Sequence, residues 1–423
     1  MKTLLAATLV LRGATLVDGT GSPPRQNAVL VVRDGRIVSA GAEGSAREAP
    51  PESAEVIDVS GKWIIPGLID AHVHADSDAD LQTMLRWGVT SVRLMAEDTA
   101  AASELAKASR TRPDIPEIVP AAPIFTAPGG WWAQGQPADS RLDRFPATAA
   151  AARKAVGLAK AFGSPEIKLM LDDMAWCRAP LTPFSKLTPD ISTALIGEAR
   201  RLGLRAIVHA PGLADARRAI REGATALAHG VLDPFDAATI ATMKSRPVFY
   251  VPTMDIFEFL ADTRAFVDAV LADPRVGGPG GLPAATVSRY RTPEYAEGYR
   301  RRYPNFENVR RHLPDLRANL LTLHRAGVPI ALGTDMWAFP GVGVSIEMDL
   351  YVRAGLSPGE ALRAATRTAA RSLGIDSDRG TLEPGRRADF LVLTADPLSD
   401  VTNVRSIAAV YKGGIRVAPP SPR

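Results

Sequence analysis

Between Gly67 and Asp335 the chain alternates short apolar runs with helix-like stretches. Eight runs read as strands: Gly67 to His72, Thr90 to Leu94, Ile118 to Pro123, Glu166 to Met170, Arg205 to His209, Ala224 to His229, Pro247 to Pro252 and Pro329 to Asp335. Several follow a stretch that ends in glycine, as in Leu85-Arg86-Trp87-Gly88 and Arg221-Glu222-Gly223. Glycine takes the left-handed conformation that closes a helix, so these are helix stops. The alternation predicts a parallel sheet of the α/β class. Eight units in about 310 residues fit a closed (β/α)8 TIM barrel, whose active site sits on the loops at the C-terminal strand ends. The alternative is an open doubly wound sheet, but no Gly-rich dinucleotide or phosphate loop follows any of the strands.

Both ends of the chain carry a different pattern. Ala28 to Val32 and Ile37 to Ala40 flank Asp34-Gly35, a tight hairpin signal, and Val56 to Val59 and Lys62 to Ile65 flank Ser60-Gly61. Near the other end, Phe390 to Leu393 and Ile407 to Tyr411 are further apolar runs. Neither end has enough apolar face for a stable sheet of its own. The expected arrangement is one small β-sandwich built from residues 1–64 and 377–423, with a barrel over residues 65–376 inserted between them. The connection between strands seven and eight is long, about 75 residues, and includes the aromatic, arginine-rich Tyr290 to Tyr303. Such a connection is either a functional lid or specificity element or an insertion of surface helices.

Composition narrows the partners. The 423 residues carry 50 basic and 46 acidic side chains, a net charge of +4. With no basic run and no basic stripe interleaved with aromatics, nucleic acid is not an expected partner. No apolar stretch approaches a membrane span, so no membrane is expected. The start, Met1-Lys2-Thr3 followed by Leu4 to Leu11, resembles a leader but lacks a small-residue cleavage site and runs into a strand, Leu9 to Val17. Cys177 is the single cysteine, so there is no intrachain disulfide framework. A cytoplasmic homo-oligomer acting on a small molecule is the expectation.

Chemistry concentrates at the strand ends. Of six histidines, His72 and His74 close strand one, His209 strand five and His229 strand six. The i, i+2 spacing of the first two puts both imidazoles on one side of an extended segment. Lys168 lies inside strand four, where burying an amine is costly without compensation, and Asp335 ends strand eight. A barrel brings such positions to one spot, and imidazoles with a carboxylate suit Zn²⁺ or a related divalent ion. His312 and His324 lie on helix-like stretches and are not expected to be ligands. Trp131 and Trp132 with Gln134, Arg93 beside the end of strand two, and Tyr250 near the end of strand seven are candidate substrate contacts.

The segment Ile65-Pro66-Gly67-Leu68-Ile69-Asp70-Ala71-His72-Val73-His74 resembles the strand-one signature of the amidohydrolase superfamily. Gly13 to Gly19, Glu360 to Thr366 and Gly380 to Phe390 are similar to its other conserved stretches, so the resemblance spans essentially the whole chain. It is nearest to the branch of imidazolonepropionase-like proteins and Xaa-Pro and Xaa-Arg dipeptidases. The resemblance implies a first metal on His72, His74 and Asp335, and a second on His209 and His229. It also implies that Lys168 bridges the two as a carbamate formed with CO₂. An ammonium beside two dications would be repelled, whereas a carbamate is an anionic bridge. The implied activity is hydrolysis of an amide or peptide-like C–N bond by a metal-bridging hydroxide, with Asp335 as general acid–base. The same site could instead attack an ester, lactone or phosphotriester, and a non-catalytic binding protein is the reading from another class. Leu94-Met95-Ala96, Leu171 to Trp176 and Ser345 depart from the family pattern, which bears on the substrate.

Overall fold

The computed structural model describes residues 8–42, 53–75, 77–96, 98–133, 144–181 and 184–417. The candidate contact Gln134 and the leader-like residues 1–7 lie outside them.

Five strands come first: β1 (Thr8–Leu16), β2 (Arg25–Arg33), β3 (Arg36–Ala42), β4 (Glu55–Asp58) and β5 (Trp63–Pro66). The Asp34-Gly35 turn between β2 and β3 is a true hairpin, with φ of 51° and 73° at its two central residues. Seven parallel strands follow: β6 (Leu68–Val73), β7 (Val89–Met95), β8 (Glu117–Phe125), β9 (Glu166–Met170), β10 (Arg205–His209), β11 (Ala226–Ala228) and β12 (Phe249–Val251). At the other end lie β13 (Phe390–Leu393), β14 (Ile407–Lys412) and β15 (Ile415–Arg416). The first and last groups join in one mixed sheet, in the order β15-β14-β13-β5-β1-β2-β3, with β4 also paired to β1. The module from both termini is thus a single sheet that branches at β1. Its apolar face forms a core of its own around Leu11, Leu30, Ile64 and Phe390.

The seven parallel strands pair in sequence order, and the eighth predicted strand closes the circle. Tyr250 donates its N–H to Pro329 O at 2.9 Å and Ala331 donates to Tyr250 O at 3.0 Å. On the other side, Ala71 donates to Leu332 O and Asp335 to His72 O, both at 2.8 Å. The barrel is therefore closed between β12 and β6. The closing segment makes only one isolated bridge, Tyr250 with Ile330, in place of a regular ladder. Its upper half is held instead by the buried Asp70, which accepts the N–H of Thr334 at 3.0 Å and its hydroxyl at 2.7 Å. The same carboxylate accepts the N–H of His72 at 3.0 Å.

Helices pack around the strands, and the predicted stops hold: Gly88 and Gly223 have φ of 88° and 104°. An ion cluster in which Glu166 and Arg93 are fully buried and Arg205 is partly exposed fills the barrel floor. Glu166, the first residue of β9, receives Arg93 Nε at 2.6 Å and Arg205 Nε at 2.5 Å. The terminal sheet docks on the barrel through Lys412, whose Nζ donates to the carbonyls of Ser109, Arg112 and Ile115 at 2.7–2.8 Å. All three protons of that buried ammonium are thereby satisfied.

Candidate active site

The C-terminal strand ends carry the six predicted side chains to one mouth. His72 ends β6 with His74 just beyond it, Lys168 points from β9, and His209 ends β10. His229 follows β11, and Asp335 ends the closing segment. Asp335 Oδ1 lies 3.4 Å from His74 Nε2 and 3.8 Å from His72 Nε2, while Oδ2 lies 3.9 Å from His229 Nδ1. The rings of His209 and His229 are 4.3 Å apart, and those of His72 and His229 are 4.7 Å apart. Donor atoms of His72, His74 and Asp335 all lie within 4.8 Å of one another, the spacing of a cation site.

Two further side chains fix which imidazole nitrogens face the mouth. Asp172 Oδ2 lies 2.9 Å from His209 Nε2 and also accepts the Trp176 indole N–H at 2.8 Å. Thr253 Oγ1 lies 2.9 Å from His229 Nδ1. His209 therefore keeps Nδ1 free and His229 keeps Nε2 free, since each ring has only two nitrogens. Sequence reasoning missed Asp70, Asp172 and Thr253. The signal available was position: Asp172 and Thr253 each stand two residues past the end of a barrel strand, where a polar residue faces the site. His229, Asp335, Thr253 and Met174 all have positive φ, between 46° and 73°. Left-handed backbone at non-glycine residues costs energy and gathers where side chains must be aimed.

The electrostatics are those of a buried cluster that disfavours protonated imidazoles and a charged amine. Burial, followed by the charge of Lys168, holds His72 well below the ordinary imidazole range. His209 and His229 are also lowered, first by burial. Burial pulls the Lys168 amine down to about 7 against the opposing attraction of Asp335. Burial likewise pushes Asp335 up to about 7, against the attraction of Lys168. Neutral imidazoles are the form that ligates metal. Two buried atoms, Lys168 Nζ and His72 Nδ1, have no hydrogen-bond partner among the described residues. Orphaned buried donors of this kind are costly unless something absent from the protein satisfies them, so the set fits a divalent centre.

The site opens into a cavity of about 650 Å³. Trp131 and Trp132 line it as predicted, and Trp132 stacks on His74 with ring centroids 5.6 Å apart. Two other predicted contacts are corrected. Arg93 is fully buried in the floor cluster, with Nη1 on Ala71 O and Nη2 on Ser372 O, and does not line the cavity. Tyr250 is also fully buried, and its hydroxyl accepts the N–H of Val231 at 3.0 Å. Both were placed by their nearness to a strand end, but Arg93 reaches Glu166 in the barrel floor and Tyr250 packs on Phe235 and Val231. His312 and His324 bond to Asn308 O and Glu360, away from the site. Of the departures from the family pattern, Leu94, Met95 and Trp176 line the cavity, whereas Ser345 is bound to Val342 O and Arg405 instead. The long connection contributes Arg289, Arg302 and Tyr303 to the cavity wall, so it is part of the site.

Comparison with known proteins gives the family and the fold. Residues 63–417 match the model of the Amidohydrolase family. An ochratoxinase from Aspergillus niger is 25% identical over 97% of this chain and 86% of the relative. An imidazolonepropionase from Rhizorhabdus wittichii is 26% identical over 88% of this chain and 90% of the relative. Among solved structures, a Xaa-Pro dipeptidase with methionine bound in its active site superposes with a TM-score of 0.74 at 20% identity. That match covers 97% of this chain and 99% of the other and speaks for the fold.

Proposed function

The chain belongs to the amidohydrolase family, and from that premise we propose that it is a metal-dependent hydrolase of an amide or peptide-like C–N bond. The observation that carries the reading is the convergence of His72, His74, Lys168, His209, His229 and Asp335 on one cavity mouth. In this reading His72, His74 and Asp335 hold one divalent ion, and His209 Nδ1 and His229 Nε2 hold a second. Zinc suits the nitrogen-rich donor set. Lys168, with its amine lowered to about 7, is substantially neutral at physiological pH. In that form Nζ would add to CO₂ and release a proton, and the resulting carbamate would supply an anionic ligand for the ions.

When bound, the ions supply a lowered water pKa and polarise the scissile carbonyl. The protein's own residues do the rest. Asp335, buried and held near neutrality in its titration, takes the proton of the attacking water and delivers it to the departing nitrogen. Asp172 and Thr253 fix the two imidazoles that would otherwise rotate. The aromatic side chains around the mouth exclude bulk water and strengthen every charge interaction inside.

The test is a panel of N-acyl amino acids and dipeptides assayed before and after exhaustive chelation, with metal content measured in parallel. Activity is expected to vanish on chelation, to return with Zn²⁺, and to be absent from His72→Ala. Full activity in the metal-free protein would overturn the reading.

A further inference from the structure

The cavity wall divides into two kinds of surface with different origins. Trp132, Trp176, Phe257 and Trp337 come from four separate segments that follow barrel strands, and they face one space. Their polar handles are occupied elsewhere: Trp176 donates to Asp172, and Trp337 donates to Tyr299 Oη at 2.7 Å. Trp176 also packs on Phe257 at 4.9 Å. Rings tethered at the edge in this way present their faces as a rigid slot for a flat apolar group.

The cationic part comes from the long connection alone. Arg289 belongs to the Ala284–Tyr290 helix and Arg302 to the Pro293–Arg302 helix. Both are exposed at the rim of the same cavity that Asp335 and His74 line. Several other arginines of this connection are neutralised, Arg264 by Asp268, Arg275 by Asp273, Arg301 by Glu297 and Arg310 by Glu307, and Arg300, which lies over Phe306, does not line the cavity. Neither Arg289 nor Arg302 has such an ion pair among the described residues. Each lies instead over an aromatic face, Arg289 over Tyr290 at 5.1 Å and Arg302 over Trp131 and Tyr303 at 5.7 Å. Stacking orients a guanidinium plane and leaves its N–H edge open to an anion. Among the described residues Asp80 is the one lining carboxylate besides Asp335, and it is engaged by the Ser77 hydroxyl at 2.8 Å.

We propose that the substrate is an amide joining a broad aromatic group to a carboxylate-bearing residue, with Arg289 and Arg302 as the carboxylate-recognising pair and the tryptophan slot receiving the ring. This rests on the hydrolase reading above and narrows it to an anionic, aromatic substrate class. The long connection is then the specificity element of the enzyme.

A matched pair of compounds tests it on the metal-loaded protein: N-benzoyl-phenylalanine and N-benzoyl-phenethylamine, which share rings and amide but differ by the carboxylate. Wild type is expected to prefer the acid in kcat/KM by about 10- to 100-fold, the worth of one or two charge-assisted hydrogen bonds. In Arg289→Gln/Arg302→Gln that ratio falls toward 1 through a rise in KM for the acid, and the double lysine variant recovers part of it. Quenching of the cavity tryptophans reads binding of the same two compounds without turnover. Hydrolysis of both compounds with a ratio near 1, or a ratio unchanged in the double variant, overturns this inference and leaves the hydrolase reading standing. Quenching selective for the acid and lost in the double variant supports it even where neither compound is cleaved, an outcome that counts against the hydrolase reading. Quenching by neither compound, or equally by both, overturns it.

Discussion

Gly333→Ala adds a single methyl group at the point where the barrel closes. The backbone of Gly333 lies outside the left-handed region, so alanine brings no conformational strain. The added Cβ would instead stand 2.6 Å from Val251 Cγ1 and 2.9 Å from both Cβ and N of His72. Ordinary carbon contacts are about 3.5–4.0 Å, so the neighbours must retreat by roughly 0.6–1 Å. Such overpacking costs about 1–3 kcal/mol. The retreat also falls on the first residue of the predicted metal set and on the segment that leads to Asp335. A displacement of about 1 Å in a catalytic group costs on the order of 100-fold in rate. Urea unfolding of the metal-free protein reads the first effect; metal uptake and kcat/KM read the second. Gly197→Ala is the matched control, because that glycine lies inside the Pro189–Arg201 helix with nothing within 4 Å of the added carbon. It should gain about 0.5–1 kcal/mol. Wild-type stability and activity in Gly333→Ala would show that the close approach at β6 is not a constraint.

Three other outcomes follow from the same geometry. Asp172→Ala releases His209 Nε2 and should weaken metal binding about 10- to 100-fold while leaving the circular dichroism spectrum unchanged. Glu166→Ala leaves Arg93 and Arg205 without their shared buried carboxylate and should cost about 3–5 kcal/mol in denaturant unfolding, as broken buried pairs do. Asp255 is fully buried with Oδ2 unpartnered, and burial followed by the charge of Glu347 holds its carboxyl well above the ordinary range. A raised acid binds more protons folded than unfolded, so its contribution to stability declines as pH rises above about 4. Asp255→Asn should therefore match wild type near pH 4 and exceed it near pH 8 by on the order of 1–3 kcal/mol, read as thermal or urea unfolding against pH. Parallel curves for the two proteins would refute the assignment.

The clustering of the six side chains was legible because barrel geometry converts a one-dimensional pattern, polar residues at strand ends, into a three-dimensional cluster. His72, His209 and Asp335 need only the strand boundaries to be placed. Arg93 and Tyr250 escaped the same logic because nearness to a strand end fixes neither the face a side chain takes nor its height in the barrel. A position beside a strand end does not tell whether the side chain rises to the mouth or sinks into the interior. The supporting groups were illegible for a different reason. Asp70 acts on Thr334 across 264 positions of sequence, and nothing local signals that partnership. The terminal sheet was legible as strands at both ends, but its branch at β1 depends on register between segments far apart.

That sheet also sets a schedule for synthesis. One edge of β5 pairs with β1, but the other finds its neighbour only in β13, in the register Ile65 with Leu391. Roughly 320 residues must therefore leave the ribosome before the edge is covered, about 16–65 s at ordinary elongation rates. Through that interval Trp63-Ile64-Ile65-Pro66 is an apolar β edge with open hydrogen-bonding groups, the kind of template other chains pair with. Pro66, which can donate no backbone hydrogen bond, blunts one end of it. Yield of soluble protein should accordingly depend on chaperone supply during translation more than on the stability of the finished barrel.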